Sequence, residues 1–417
     1  MRSGKLKVAV IGVGNIGSVH ASAIYSGRIS GMTLGALCDI DPARRAVLAG
    51  SYPGVPVYAD PEALLSDASK AGIDAVIISV PHPFHAAVAV SALEAGLHVM
   101  CEKPADVESS RAVRMKEAAE KSGRLIGIMF NQRTDPLFRK AKEIIDSGEL
   151  GGFKRSSWII TNWYRTQAYY DSGSWRATWN GEGGGVMLNQ APHNIDIWLW
   201  LLGLPERIRA FCREGRYHRI SVEDEATVYA EFSGGGSGVF VTSTGEAPGL
   251  NRLEMAFDKG RLILENGKLN VLRLGVSERE FCFSSRDNFA LPPMSSEEFC
   301  ARPERDGHEL ILENFAEAVR KGVPLIASID DGIRELEFSN AAFLSSWTDN
   351  WSALPLTRSD RDTFSELLKN KREAELADSK KQCGAEKAPA DPSRDHNASD
   401  RPEKTSDKYS ERWKTRW

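Results

Sequence analysis

No two of the six cysteines in this 417-residue chain stand in C-x-x-C spacing; they are scattered at Cys38, Cys101, Cys212, Cys282, Cys300 and Cys383. In a chain too long to need disulfide staples, that scatter excludes a disulfide framework and a structural zinc, and points to a reducing compartment. Long apolar runs are missing too. No window approaches the roughly 18 uninterrupted apolar residues of a membrane span. The short apolar run within Met1–Val13 is broken by Gly12 and lacks the form of a secretory leader, so a cytoplasmic location is expected. Positive charge is not in excess: 53 basic against 57 acidic residues leave −4, which excludes a field that gathers nucleic acid or anionic membrane. No His/Cys/Asp/Glu set has metal spacing, so no metal is expected. No repeat of fixed period is present. What is there is an average globular composition, 41% hydrophobic and 26% charged. At about 150 residues per domain the chain makes two or three domains, and a small molecule is the expected partner.

The first 130 residues alternate short β-branched runs with helical stretches. Lys7–Ile11, Met32–Cys38, Ala75–Val80, His98–Cys101 and Arg124–Met129 read as buried strands. Asn15–Ser26, Asp41–Gly50, His85–Ala95 and Ser109–Ser122 read as the helices between them. That order predicts right-handed βαβ units and a doubly wound, Rossmann-type parallel sheet over residues 1–130. After Gly151 the runs become short and alternating: Phe153–Trp163, Arg207–Arg213, Ala226–Phe232, Gly238–Thr244, Arg252–Phe257, Arg261–Glu265 and Lys268–Arg273. These predict a large open, mainly antiparallel sheet, with a two-residue turn at Asn266-Gly267. Helices are expected at Ile195–Leu202 and Glu309–Lys321. Residues 131–357 thus form an α+β domain for substrate binding and oligomerisation, and its open sheet predicts a homodimer or homotetramer. Residues 358–417 turn polar and are expected to be largely disordered. Their aromatic and basic end, Tyr409–Trp417, fits either a frayed terminus or a segment docked on a neighbouring subunit.

Chemistry concentrates at strand ends. Gly12-Val13-Gly14-Asn15-Ile16-Gly17 follows the first strand and opens the first helix, where a G-x-G-x-x-G loop lets backbone approach a pyrophosphate at a helix N-terminus. Asp39, 22 residues beyond Gly17, ends the second strand, where a carboxylate takes ribose hydroxyls and repels a 2′-phosphate. NAD is therefore favoured over NADP. Pro81, His85, Glu102 and Lys103 follow later strands at the same sheet edge and are candidates for cofactor contact, although His82 and His85 also suit loop and helix-start positions. Lys103, in Glu102-Lys103-Pro104, suits polarisation of a substrate oxygen. A second cluster runs from Gly183 to Asp196. Asn189 and His193 share a face there if the turn is helical, His193 is a natural proton carrier, and Asp196 caps or orients the first turn. Asn162–Arg165 and Tyr169–Arg176 make an aromatic and arginine stretch suited either to a carbohydrate, with Tyr164, Arg165, Trp175 and Arg176 as its contacts, or to ordinary sheet and interface packing. Arg133 and Asp135 lie just past the last strand, where they face the cleft.

Taken singly, a lysine before proline is more often a solvated loop cation, and a histidine beside an apolar helix is usually structural. Together, VIGVGNIGSVHASA, VPHPFHAAVAVSALEAGLHVMCEKP and GEGGGVMLNQAPHNIDIWLWLLG resemble the Gfo/Idh/MocA family of nicotinamide-dependent sugar and polyol oxidoreductases. The resemblance covers about residues 5 to 357. It implies that Lys103 and His193 flank the reacting carbinol. Asn189 stands where the family usually has aspartate, and an amide orients a substrate but holds no negative charge. The implied activity is NAD-dependent oxidation of a secondary alcohol of a sugar, glycoside or cyclitol. Two alternatives remain at this level. One is NAD-dependent glycoside cleavage by oxidation and elimination. The other is a non-catalytic nucleotide sensor, which has no need of Lys103 and His193.

Overall fold

The computed structural model describes residues 4–173 and 175–385. Tyr409–Trp417, and with it the question of a docked terminus, lies outside them. The described residues form two sheets. The first holds β1 (Leu6–Ile11), β2 (Met32–Cys38), β3 (Val57–Tyr58), β4 (Ala75–Ile78), β5 (His98–Cys101) and β6 (Ile126–Ile128). Between them run α1 (Asn15–Tyr25), α2 (Pro42–Ser51), α3 (Pro61–Ala71), α4 (His85–Glu94) and α5 (Ser109–Ser122), followed by α6 (Pro136–Asp146). Every pairing is parallel and the strand order is 3-2-1-4-5-6, the doubly wound order. β4 is buried throughout, as a central strand covered on both faces must be. Three helices start on an Asp-Pro pair. Asp41, Asp60 and Asp135 each accept a backbone N–H of the first turn, and the following proline fills a position that needs no donor. Asp135 is therefore the cap of α6 and not a cleft residue.

The second sheet has the order β14-β13-β12-β11-β7-β10-β9-β8-β15. Its strands are β7 (Phe153–Ile160), β8 (Arg207–Glu214), β9 (Glu223–Glu231), β10 (Ser237–Ser243), β11 (Asn251–Phe257), β12 (Gly260–Glu265), β13 (Lys268–Leu274), β14 (Met294–Cys300) and β15 (Ser352–Ala353). All pairs are antiparallel except β7 with β10, which the β9–β10 hairpin sets down beside β7 in the same direction. At the β12–β13 turn Asn266 (φ 54°) and Gly267 (φ 71°) are both left-handed, and Glu265 pairs directly with Lys268. The helices here are α7 (Gln167–Tyr170), α8 (Pro192–Leu202), α9 (Glu278–Ser284), α10 (Gly307–Lys321), α11 (Ile329–Thr348) and α12 (Arg358–Ala385). α8 begins three residues before the predicted helix, with Pro192 in its first turn. Its Trp198 wedges between Phe240, Phe232 and Phe338, and so fixes α8 and α11 to the sheet.

The tail departs from expectation: Arg358–Ala385 is helical, not disordered. Phe364 and Leu368 are fully buried, and the Phe364 ring stacks on Trp347 at 5.6 Å. Two well-placed apolar residues suffice to anchor an otherwise polar helix, which composition averaged over sixty residues conceals. No helix among the described residues is long and apolar enough to cross a membrane.

Candidate active site

The order of the first sheet reverses between β1 and β4, opening a crevice at their carboxyl ends. The glycine loop lines it. Gly12 (φ 83°) passes so close to β4 that a Cβ there would lie 2.7 Å from the Ser79 carbonyl oxygen, and a Cβ on Gly17 would lie 2.0 Å from that of Gly12. Gly14, by contrast, faces open space. No side chain among the described residues caps the first turn of α1, which begins at Asn15 and Ile16. A bare helix N-terminus beside an open glycine is a cradle for a phosphate group, and so the residues present fit a dinucleotide. Asp39 ends β2, and its carboxylate accepts from Val13 N at 2.9 Å and Asp41 N at 3.0 Å, tying the loop to the ribose side of the crevice. Arg44 donates to the Val13 and Gly14 carbonyls and to Ser18 Oγ, so its guanidinium is taken up by the loop. Pro81 is exposed beside this crevice.

His85 is buried, with Nδ1 2.8 Å from the Pro104 carbonyl oxygen and Nε2 2.8 Å from that of Val80. It clamps the β4 and β5 loops together and leaves no ring nitrogen for a ligand. Glu102 is buried as well. His20 Nε2 meets its carboxylate at 2.7 Å, and the ring of His308 at the start of α10 lies 5.7 Å from that of His20. Burial pushes the Glu102 carboxyl up, but His20, His308 and Lys103 outweigh it and hold it at about 2. The first site therefore carries a fixed negative charge directly behind Lys103.

Lys103 reaches across to the second domain, where Nζ donates to the Asn189 carbonyl at 2.8 Å. Its peptide bond to Pro104 is cis. Burial lowers the Lys103 pKa, while Glu102, Glu182 and Glu335 pull it back up. Asn189 Nδ2 donates to Glu182 and, at 3.4 Å, to the Tyr169 hydroxyl. Glu182 is buried and also accepts from Ala177 N. The hydroxyl of Tyr169 accepts from Arg176, whose guanidinium stacks over the Tyr169 and Trp175 rings at 4.7 and 4.5 Å. The Arg165 guanidinium lies 5.0 Å from the centre of the Tyr169 ring. The loop approaches the first domain closely at Gly183 (φ 82°), where a Cβ would lie 2.4 Å from Val107.

His193 sits in the first turn of α8, its ring edge-on to Phe130 at 6.3 Å. Its Nδ1 is buried and has no hydrogen-bond partner among the described residues. Burial holds the imidazole well below its ordinary pKa, and Lys103 and His308 lower it further, so it is a neutral ring able to take a proton.

The fold thus gathers Lys103, Asn189, Arg165, Trp175 and Arg176 into one connected set, with His193 within electrostatic reach of Lys103. Two expected residues lie outside it. Arg133 is buried in a bidentate pair with Asp196, at 2.7 and 2.8 Å, and meets Asp331 at 3.0 Å. Asp196 is accordingly the partner of Arg133 and not a helix cap. Tyr164 exposes its ring, and its carbonyl accepts from Arg165. Sequence reading overlooked Glu182, His20 and His308, and took in Tyr169 only as part of the aromatic and arginine stretch. Glu182 directly precedes the triple glycine and His20 follows the glycine loop by three residues, but nothing local marks His308.

A glycine loop at the switch point of a doubly wound sheet, joined by a lysine to an open-sheet domain, defines a dinucleotide-binding Rossmann domain coupled to a second, open-sheet domain. Comparison with known proteins gives the family. Residues 6–130 match the oxidoreductase family domain with an NAD-binding Rossmann fold, and residues 138–263 match the GFO/IDH/MocA C-terminal domain. The chain belongs to the Gfo/Idh/MocA family. It is 35% identical over 209 residues to an inositol 2-dehydrogenase of Corynebacterium glutamicum (strain R), covering 48% of this chain and 55% of the relative. It is 32% identical over 208 residues to the D-glucoside 3-dehydrogenase of Escherichia coli (strain K12), covering 49% and 56%. The chain spans about half the length of the curated relatives it matches. The fold is that of the WlbA dehydrogenase from Bordetella pertussis, solved with NADH and UDP-GlcNAcA: TM-score 0.71, 22% identity, 85% of this chain and 100% of that one.

Proposed function

We propose that this chain is an NAD-dependent dehydrogenase that oxidises a secondary alcohol of a sugar, glycoside or cyclitol. The observation that carries the reading is the pairing of Lys103 with the Asn189 loop beside the unpartnered Nδ1 of His193, at the mouth of the glycine-loop crevice. A buried ring nitrogen without a partner is rare in a purely structural histidine. Bound NAD would supply the hydride acceptor, held at Gly12, Gly14, Asn15, Ile16, Gly17 and Asp39. The neutral His193 accepts the hydroxyl proton. The Lys103 ammonium donates to the substrate oxygen as negative charge grows on it, with Glu102 behind it keeping the ammonium charged. Asn189, anchored by Glu182, presents an amide that orients a hydroxyl and carries no proton away. Arg165, Trp175 and Arg176 offer aromatic and polar surfaces to the ring of the substrate. The relatives named as inositol and glucoside dehydrogenases act on molecules of this class. We further propose that the chain works as a homodimer or homotetramer in the cytoplasm.

The test is steady-state absorbance of reduced cofactor over a panel of inositols, hexoses and glycosides, with NAD and NADP in parallel. The reading requires turnover of at least one member, with higher kcat/KM for NAD. Absence of turnover with every member contradicts it. Release of aglycone without net reduced cofactor selects the elimination chemistry instead.

A further inference from the structure

α12 lies beyond the last residue of both matched family domains, and it touches two loops, one from each domain, that meet at Gly183 and Val107. On one side is the turn leading to Glu182. Glu375 accepts from Trp179 N at 3.0 Å, from Asn180 N at 3.0 Å and from Asn180 Nδ2 at 2.8 Å. Arg372 Nε donates to the Trp179 carbonyl at 3.1 Å, and its own carbonyl accepts from Asn180 Nδ2. On the other side is the loop that follows Lys103. Ser365 Oγ donates to Glu108 at 2.6 Å, and the Arg372 guanidinium lies 3.7 Å from the same carboxylate. Phe364 holds the helix down through Trp347, against which Trp179 packs edge-on at 5.4 Å. Four backbone and side-chain groups of a two-residue turn are thus bonded by one face of one helix.

We propose that α12 is a strap that positions the Trp175–Glu182 loop against the Lys103 loop, with Glu375 and Arg372 as the positioning residues that set how the sugar sits. The inference rests on the dehydrogenase reading for its kinetic consequence but not for its structural one. Glu375 and Arg372 touch no reacting atom in this scheme. They act through Glu182, which anchors the Asn189 amide.

Hydrogen–deuterium exchange of the full chain is measured for the parent, Glu375→Ala, Arg372→Ala and, as a control, Glu373→Ala on the exposed face of the same helix. Calorimetric NAD binding, thermal melting and kcat/KM are measured alongside. In Glu375→Ala, peptides covering residues 175–183 exchange faster by about tenfold or more. The kcat/KM for the sugar falls by about tenfold or more, NAD affinity stays the same, and melting shifts by a few degrees at most. Glu375→Gln, which keeps one acceptor oxygen, lies between, and Glu373→Ala matches the parent. Unchanged exchange in both strap variants overturns the proposal whatever the enzyme oxidises. Faster exchange with unchanged kcat/KM on a sugar that the parent oxidises overturns the positioning role. If the parent oxidises nothing, the dehydrogenase reading fails and the strap is decided by the exchange alone.

Discussion

Arg133 is committed to the protein's own acids. Its position after the last strand of the first sheet made it a cleft candidate, because its partners Asp196 and Asp331 are far along the chain and no local pattern connects them. In the structure it holds α8 and the start of α11 against the first domain, and donates to the Ile326 carbonyl at 3.1 Å. Removing one partner of a buried pair leaves the other charge uncompensated, so Arg133→Met costs about 3–5 kcal/mol, measured by urea unfolding. A loss below about 1 kcal/mol contradicts that role. Lys103 and His193 stood out as candidates for the opposite reason, because each sits in a contiguous motif. Their electrostatics were not, since the neighbours that set them are brought in by the fold. Oxidation needs a neutral His193, whose pKa lies well below its ordinary 6.5, so the acid limb of kcat/KM falls below pH 6.5. Burial lowers Lys103 from 10.5, so an alkaline limb due to its loss of charge begins below that pH. An acid limb at or above pH 6.5 contradicts the assignment of the base.

Elements with a strict period and clear punctuation were readable, such as the β1–α1 glycine turn and the Asn266-Gly267 hairpin. Others were not. α11 buries residues on nearly every side, including Glu335, Ser339 and Asn340, so its sequence lacks a polar face to mark the period. β14 is an almost wholly exposed edge strand, MSSEEFC, without an inward apolar row. α12 hides two anchors in a polar segment. Phe364 lies in a ring stack with Trp347 and Phe343, and Phe364→Ala therefore destabilises by about 3–5 kcal/mol in equilibrium unfolding. A change below about 1 kcal/mol means that the helix is not docked in solution.

In the whole molecule, the site exists only because two domains meet. Lys103 and Asn189 are 86 residues apart and belong to different domains, and the Gly183 turn and α12 both cross between them. The nine-stranded sheet packs α8 and α11 on one face, while Phe211, Tyr229 and Trp351 remain exposed, as do Phe283, Phe289 and Leu291 beyond β13. In the proposed assembly a second copy of the chain would cover these exposed apolar side chains. Light scattering at micromolar concentration gives a multiple of 45.9 kDa under this account, and a stable monomer refutes it. The central claim, that Lys103 and His193 perform chemistry on a substrate beside bound NAD, is tested most directly by one paired measurement on Lys103→Met and His193→Asn: calorimetric NAD affinity and single-turnover rate of reduced-cofactor formation on the same preparations. Near-parental affinity with a rate at least about a hundredfold slower in both variants is the predicted result. A His193→Asn protein that binds NAD normally and keeps more than about a tenth of the parental rate contradicts it, since no positioned proton carrier is lost so cheaply.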